Sequence, residues 1–259
     1  CANDRHFQQR FLSLGTGILS SPELSDYHTR IMEIIEDFAD RHGYVEYSKT
    51  FMLNRAICQI IDEADVAIQN YQWDLAQVIL DSIATSGEDI LYCGDDSAGE
   101  LGDILHYCFQ KWHELSSDEL LPEGKKSELF ELSLTHFAEG CLKGFDWWWD
   151  WIQMAIQLAD DEEKQGRIIQ ELDKVINIKG DEWGINYNRQ VAQRHKLEIL
   201  SRRGTQEDQL KFMYENVANP DFRRRLLQMF WDQAAIPLRL PRLRMPSLPV
   251  PLPGRKSPA

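Results

Sequence analysis

The chain has 259 residues, 43% of them hydrophobic and 10% aromatic, enough for one large or two small domains with a sizeable core. Its formal net charge of −14 argues against nucleic acid as a direct partner, because a phosphate-binding surface needs clustered Lys and Arg. Five dispersed cysteines with no C-x-x-C pair are the usage of a reduced, cytoplasmic protein, and no apolar run approaches the length of a membrane span.

Residue 1 is a cysteine with no leader before it, so it reads as a processing boundary, with a lipoprotein maturing at Cys1 as the alternative. Residues 1–20 show no period and form an irregular segment. At Ser21-Pro22-Glu23 a capping hydroxyl, a first-turn proline and an acid open a helix. Leu24, Tyr27, Ile31, Ile34, Ile35 and Phe38 then repeat at helical spacing up to His42-Gly43. A second helix carries Phe51, Ile57, Ile60, Ile61, Ala64 and Ile68, and a third carries Leu75, Ala76, Val78, Ile79 and Ile83. The short connection Asn70 to Asp74 makes these two antiparallel, in the manner of tetratricopeptide (TPR) hairpins, although the strict consensus is absent.

Gly94-Asp95-Asp96-Ser97-Ala98-Gly99 interrupts the pattern before a helix with Leu101, Ile104, Leu105, Cys108, Phe109 and Trp112 on one stripe. Pro122-Glu123-Gly124 precedes a helix through Leu129, Phe130, Leu132, Phe137 and Cys141. Phe145 to Asp160 then places Trp148, Trp149, Ile152, Ala155, Ile156 and Ala159 on one helical face and Trp147, Trp151, Met154 and Leu158 on an adjacent one. Asp146, Asp150, Gln153, Gln157 and Asp160 keep a narrow polar arc. A helix so widely apolar needs neighbours on two sides, or one face in the core and one held out to a partner. Further helices are expected through Ile168–Ile176, from Gly180 to Arg203, from Gln206 to Asn216 and from Asp221 to Trp231. No window shows strand alternation, so the class is all-α, with antiparallel hairpins stacked as a TPR-like array over 21–233. Residues 234–259 hold seven of the ten prolines and are basic; they read as an extended or disordered tail, or a non-native end.

Several stretches resemble the region carboxy-terminal to the zinc finger in bacterial SWIM zinc finger proteins. They are Gly43-Tyr44-Val45-Glu46-Tyr47, Asp95-Asp96-Ser97-Ala98-Gly99-Glu100-Leu101-Gly102 with Leu105-His106, the aspartate-tryptophan helix, and Glu207-Asp208 paired with Pro220-Asp221-Phe222-Arg223. The resemblance covers roughly residues 25 to 232. It implies a helical interaction scaffold cut from a larger protein whose finger binds DNA or protein. No C-x-C…C-x-H motif is present here, so the finger, its metal and any DNA role tied to it do not carry over.

No catalytic, cofactor-binding or metal-binding residue is assigned. The spacing of Asp95, Asp96, Ser97, Glu100 and Asp103 fails the EF-hand pattern. Asp96 or Ser97 capping the next helix, with Gly94 and Gly99 permitting the turn, accounts for Asp95, Asp96, Ser97 and Gly99 as a structural loop. His106, Cys108 and His113 do not share one face, so the histidines read as solvent-facing and Cys108 as core; Cys58 and Cys141 read as small core groups. There is no G-x-S-x-G elbow. The expected function is a non-catalytic protein-protein interaction module with an unidentified protein partner, whose surface is drawn from Trp147, Trp151, Met154, Leu158, Trp183 and Tyr187. The alternatives are an accessory domain contacting DNA through Arg223-Arg224-Arg225 and the basic end, and an enzyme with an unrecognised carboxylate site.

Overall fold

In the computed structural model the described residues are 24–235. The expected cap at Ser21-Pro22, the irregular segment 1–20 and most of the tail 234–259 lie outside them. The described residues form helices with no strand, as the periodicity requires: α1 (Leu24–Phe38), α2 (Tyr47–Gln69), α3 (Trp73–Thr85), α4 (Gly87–Tyr92), α5 (Glu100–Ser117), α6 (Glu123–Glu139), α7 (Trp148–Leu158), α8 (Glu162–Ile176), α9 (Trp183–Arg203), α10 (Gln206–Glu215) and α11 (Pro220–Ala235). The short α4 was not foreseen. One compact unit ends at Arg203 and a second begins at Gly204, where the sequence reading kept a single domain over 21–233.

In the first unit α2 and α3 form a tight hairpin. Asn70 ends α2, its amide bonded back to Val66 and Ala67, and Tyr71 takes a left-handed φ of 58° to turn the chain, with its ring edge-on to Trp73. Helix α5 packs against both members of this hairpin, and α1 packs mainly on α3. The apolar stripes meet in one core of Ile57, Ile60, Ile61, Ile79, Leu80, Ile83, Ile104, Leu105 and Trp112.

Polar contacts at the seams fix how the helices are set against one another. Arg30 of α1 clasps Glu63 of α2 through both guanidinium nitrogens at 2.8 and 2.6 Å, a bidentate pair. Lys111 of α5, 9% exposed, bonds Asp65 of α2 and its own Glu114, each at 2.7 Å. Between α3 and α6, His136 Nε2 stands 2.7 Å from Asp81 Oδ1, both side chains nearly buried.

Helices α6 and α7 form the next hairpin. Gly140 at φ 83° closes α6, its N–H reaching Phe137 O and the Cys141 N–H reaching His136 O, which satisfies the last carbonyls of the helix. Helices α8 and α9 form a third hairpin with little apolar patterning on α9. Arg189 secures it by donating to the carbonyls of Ile176, Ile178 and Gly180, and Lys196 pairs with Asp173 across the two helices.

The second unit is small. Thr205 and Asp208 form a capping box at the start of α10, and α10 and α11 pack together with Phe212 and Phe222 rings edge to face at 5.8 Å.

Candidate functional site

Three stretches singled out in the sequence converge in the first unit. The Val45 N–H donates to Cys93 O at 2.7 Å, and Val45 pairs with Gly94 in an isolated bridge. A Cβ at Gly94 would stand 2.7 Å from the Val45 carbonyl oxygen, so only glycine allows this approach. Asp96 then caps α5, its Oδ1 accepting from the Leu101 N–H at 2.7 Å and its Oδ2 from the Gly102 N–H at 3.1 Å. Asp95 accepts from the Ser97 N–H at 2.9 Å, which holds its carboxyl below the ordinary range, and Gly99 supplies a φ of 81°. The cap thus falls to Asp96 of the two candidates, while the Ser97 hydroxyl bonds the Asp95 carboxylate. Gly102 leaves room for the Trp147 ring, whose Cη2 would lie 3.5 Å from a Cβ at that position.

Beside this junction aromatic rings run in a chain along the surface. Tyr92 at the end of α4 lies 5.9 Å from Phe145, and Phe145 lies 6.2 Å from Trp147. Asp146, exposed between them, accepts a hydrogen bond from the Tyr187 hydroxyl at 3.1 Å. Tyr187 stacks on Trp183, centroids 5.6 Å apart and planes within 11°. Trp183 is 81% exposed, Tyr92 73% and Tyr187 37%, while Phe145 and Trp147 are half-buried. Partial burial, then the bond to Asp146, raise the Tyr187 phenol above its ordinary pKa.

The expected partner surface is therefore split. Trp147, Trp183 and Tyr187 reach the surface. Trp151, Met154 and Leu158 do not: they are 0%, 1% and 5% exposed. The reason is packing on both sides of α7, since Trp151 is enclosed by Phe109 and Trp112 of α5 and by His136 of α6, at 5.0, 5.8 and 4.5 Å between centroids. Helix α7 also starts later than expected, because Leu142 (φ 61°) and Gly144 (φ 109°) bend the chain ahead of it and leave Phe145 to Trp147 as a turn. Tyr92 and Phe145 were missed. Tyr92 sits on a six-residue helix too short to show a period.

A shallow cleft of about 330 Å³ adjoins Tyr92 and is lined by Met32, Ile35, Gly43, Glu88, Asp89 and Cys93. Its charged lining is acidic. A second cleft, of about 470 Å³, lies between α5, α7 and α9. There His113 Nε2 stands 3.0 Å from Asp150 Oδ1, which corrects the expectation of a solvent-facing His113. His195 Nδ1 stands 3.9 Å from Glu198 and, with Arg202, holds the Glu198 carboxyl below its ordinary pKa. Gln153 and Gln157, read as the polar arc of α7, line this cleft. Its two imidazoles and the Glu198 carboxylate are groups that can transfer protons and hydrogen-bond a ligand.

Cys108 is fully buried and its thiol donates to Leu80 O at 3.4 Å; Cys58 and Cys141 are half-buried, and burial pushes both thiols up to about 11. Such thiols are poor nucleophiles at neutral pH. Among the described residues no three His, Cys, Asp or Glu side chains are grouped to hold a metal ion, and no helix is long and apolar enough to cross a membrane. Compared with protein families, curated proteins and solved structures, the chain matches none.

Proposed function

We propose that this chain is a non-catalytic interaction module that binds a protein partner through the aromatic strip from Tyr92 to Trp183. The single observation that carries the reading is two neighbouring groups of surface rings, Tyr92 with Phe145 and Trp147, and Tyr187 with Trp183, joined by the Tyr187–Asp146 hydrogen bond. Trp and Tyr held out in water cost free energy when unoccupied and dominate binding when covered. The body fits a TPR-like scaffold: α5 lies against both members of the α2–α3 hairpin, and the α6–α7 and α8–α9 hairpins follow in order. On the resemblance of its motifs we place it with the helical regions of bacterial SWIM zinc finger proteins, acting in the cytoplasm. The meeting of Val45 with Gly94, and of Gly102 with Trp147, supports those motifs working as one structural unit.

A photo-crosslinking residue at position 183, in the otherwise intact protein in host cells, tests the reading. A discrete protein adduct, absent when the probe is moved to the exposed Glu33 on α1, is expected. Equal adducts at both positions, or none, would overturn it.

DNA contact through the carboxyl end has less support. Arg223, Arg224 and Arg225 are exposed, but consecutive residues on α11 project about 100° apart and do not form one phosphate-facing row. The polar cleft favours a second reading, an acid–base or small-ligand site in which Asp150 and Glu198 set the imidazoles of His113 and His195. Ligand-observed NMR with a fragment library tests it: fragments bound by the native chain and lost in His195→Gln would support that reading, and none bound would remove it.

A further inference from the structure

We propose that the occupant of the aromatic strip is a basic, proline-rich peptide in the extended polyproline conformation. This inference rests on the interaction reading and names its partner chemistry. Peptide recognition has few physical modes, and this surface discriminates among them. Strand addition needs a sheet edge, and the described residues contain no strand. A docked amphipathic helix needs an apolar groove to take its repeating aliphatic anchors. Here the surface offers rings, a run of Tyr92, Phe145 and Trp147 and beside it the stacked pair Tyr187 and Trp183, the two groups joined where Tyr187 bonds Asp146. Files of rings are what pyrrolidine rings pack against, and the polyproline helix reaches them already extended, with little ordering entropy left to lose.

Charge selects a basic version of that ligand. The exposed carboxylate of Asp146 stands within the file, and Glu88 and Asp89 line the cleft beside Tyr92. No Lys or Arg lines that cleft. Two cations lie nearby: Lys143 sits over the Trp148 ring at 5.3 Å, and Arg194 acts on Tyr187. The whole chain, at −14, draws cationic ligands from a distance. A ligand arginine beside Asp146 gains both the ion pair and the face of a neighbouring ring.

Fluorescence anisotropy of labelled peptides against the full chain tests this. The probes are a Pro-Pro-Arg repeat, a Pro-Pro-Glu repeat of equal length, and a basic amphipathic helical peptide without proline. The Pro-Pro-Arg peptide should bind saturably, more weakly at higher salt, with Kd raised about tenfold or more in Trp183→Ala and Tyr92→Ala and by a smaller factor in Asp146→Asn. Thermal melts of the three variants should match the native chain. Equal binding of the Pro-Pro-Glu peptide would overturn the charge assignment. Binding of the helical peptide in place of Pro-Pro-Arg would overturn the partner chemistry while leaving the interaction reading intact. Binding of Pro-Pro-Arg unaffected by Trp183→Ala, or no binding of any probe, would overturn the proposal. The crosslink at position 183 then decides the interaction reading separately.

Discussion

The tryptophans of α7 and those of the surface strip are the same kind of residue in opposite circumstances. Trp148, Trp149 and Trp151 are buried, with Trp148 stacked on Phe137 at 4.7 Å and 7°, and Trp149 stacked on His195 at 5.6 Å. Trp183 meets one ring, that of Tyr187, and is otherwise in water. The buried set ties two hairpins and α5 together, since α7 touches α5, α6, α8 and α9. The exposed set joins only a helix end, a turn and a helix start. A tryptophan count therefore says nothing about function until each ring's neighbours are known.

The sharpest way to break this comparison is to truncate one ring from each set. Trp151→Ala should lower stability by about 3–5 kcal/mol, because the surrounding rings of two helices cannot collapse into the gap. Trp183→Ala should change it by no more than about 0.5 kcal/mol. Urea unfolding curves of the two variants measure this directly. Similar losses in both would mean that the strip belongs to the core.

A smaller effect is expected beside Trp151, at the Asp81–His136 pair. His136→Ala leaves the Asp81 carboxylate buried without its partner and should cost roughly 3 kcal/mol. Restoring an apolar pair with Asp81→Leu and His136→Leu together should recover much of that loss. If the double variant is no better than the single one, the pair contributes shape rather than compensated charge.

Asp96 lies between the two sets, because α5, the helix it caps, presents Gly102 to Trp147. Asp96→Ala should cost about 1 kcal/mol through the lost cap. Asp96→Asn should retain part of it, since the amide oxygen can still accept from one of the two N–H groups that the carboxylate serves. Thermal melts of the two variants separate capping from charge. Equal losses would show that the carboxylate acts on the helix dipole instead.

The helices that were legible are those whose apolar stripes face one core. Ile57, Ile60, Ile61 and Ala64 announce α2 because a regular stripe and a buried face are the same physical fact. The structural loop was legible for a similar reason, since a carboxylate ahead of a helix start has few other uses. What was not legible is how the faces are shared out. Trp147 and Trp151 lie four residues apart, yet only Trp151 is enclosed, because Trp147 sits in the turn ahead of α7 while Trp151 lies within the helix between α5 and α6. Tyr92 gave no signal on a helix of six residues, and its nearness to Phe145 is a contact across 53 positions of chain that no local pattern encodes. His113, read as solvent-facing, and Asp150, read as part of the polar arc of α7, meet only because α5 packs on α7.

The smallest expected effect lies within the strip, at the bond between Tyr187 and Asp146. Partial burial first, then the Asp146 carboxylate, favour the neutral phenol and raise its pKa. Because the folded value lies above the unfolded one, near 10, the associated stability is fully present below pH of about 10 and disappears as pH rises through the raised value. Tyr187 is more than a third exposed, so water screens the effect and it should stay below about 1 kcal/mol. The ultraviolet titration of the native chain minus that of Tyr187→Phe isolates this one phenol, whose midpoint should lie above 10. In Asp146→Asn the acceptor remains but the charge is gone, so the midpoint should fall back toward the ordinary value while the urea midpoint, set by Trp151 and its neighbours, stays where it was. A midpoint unmoved by Asp146→Asn would leave burial as the whole cause and detach Asp146 from the ring file.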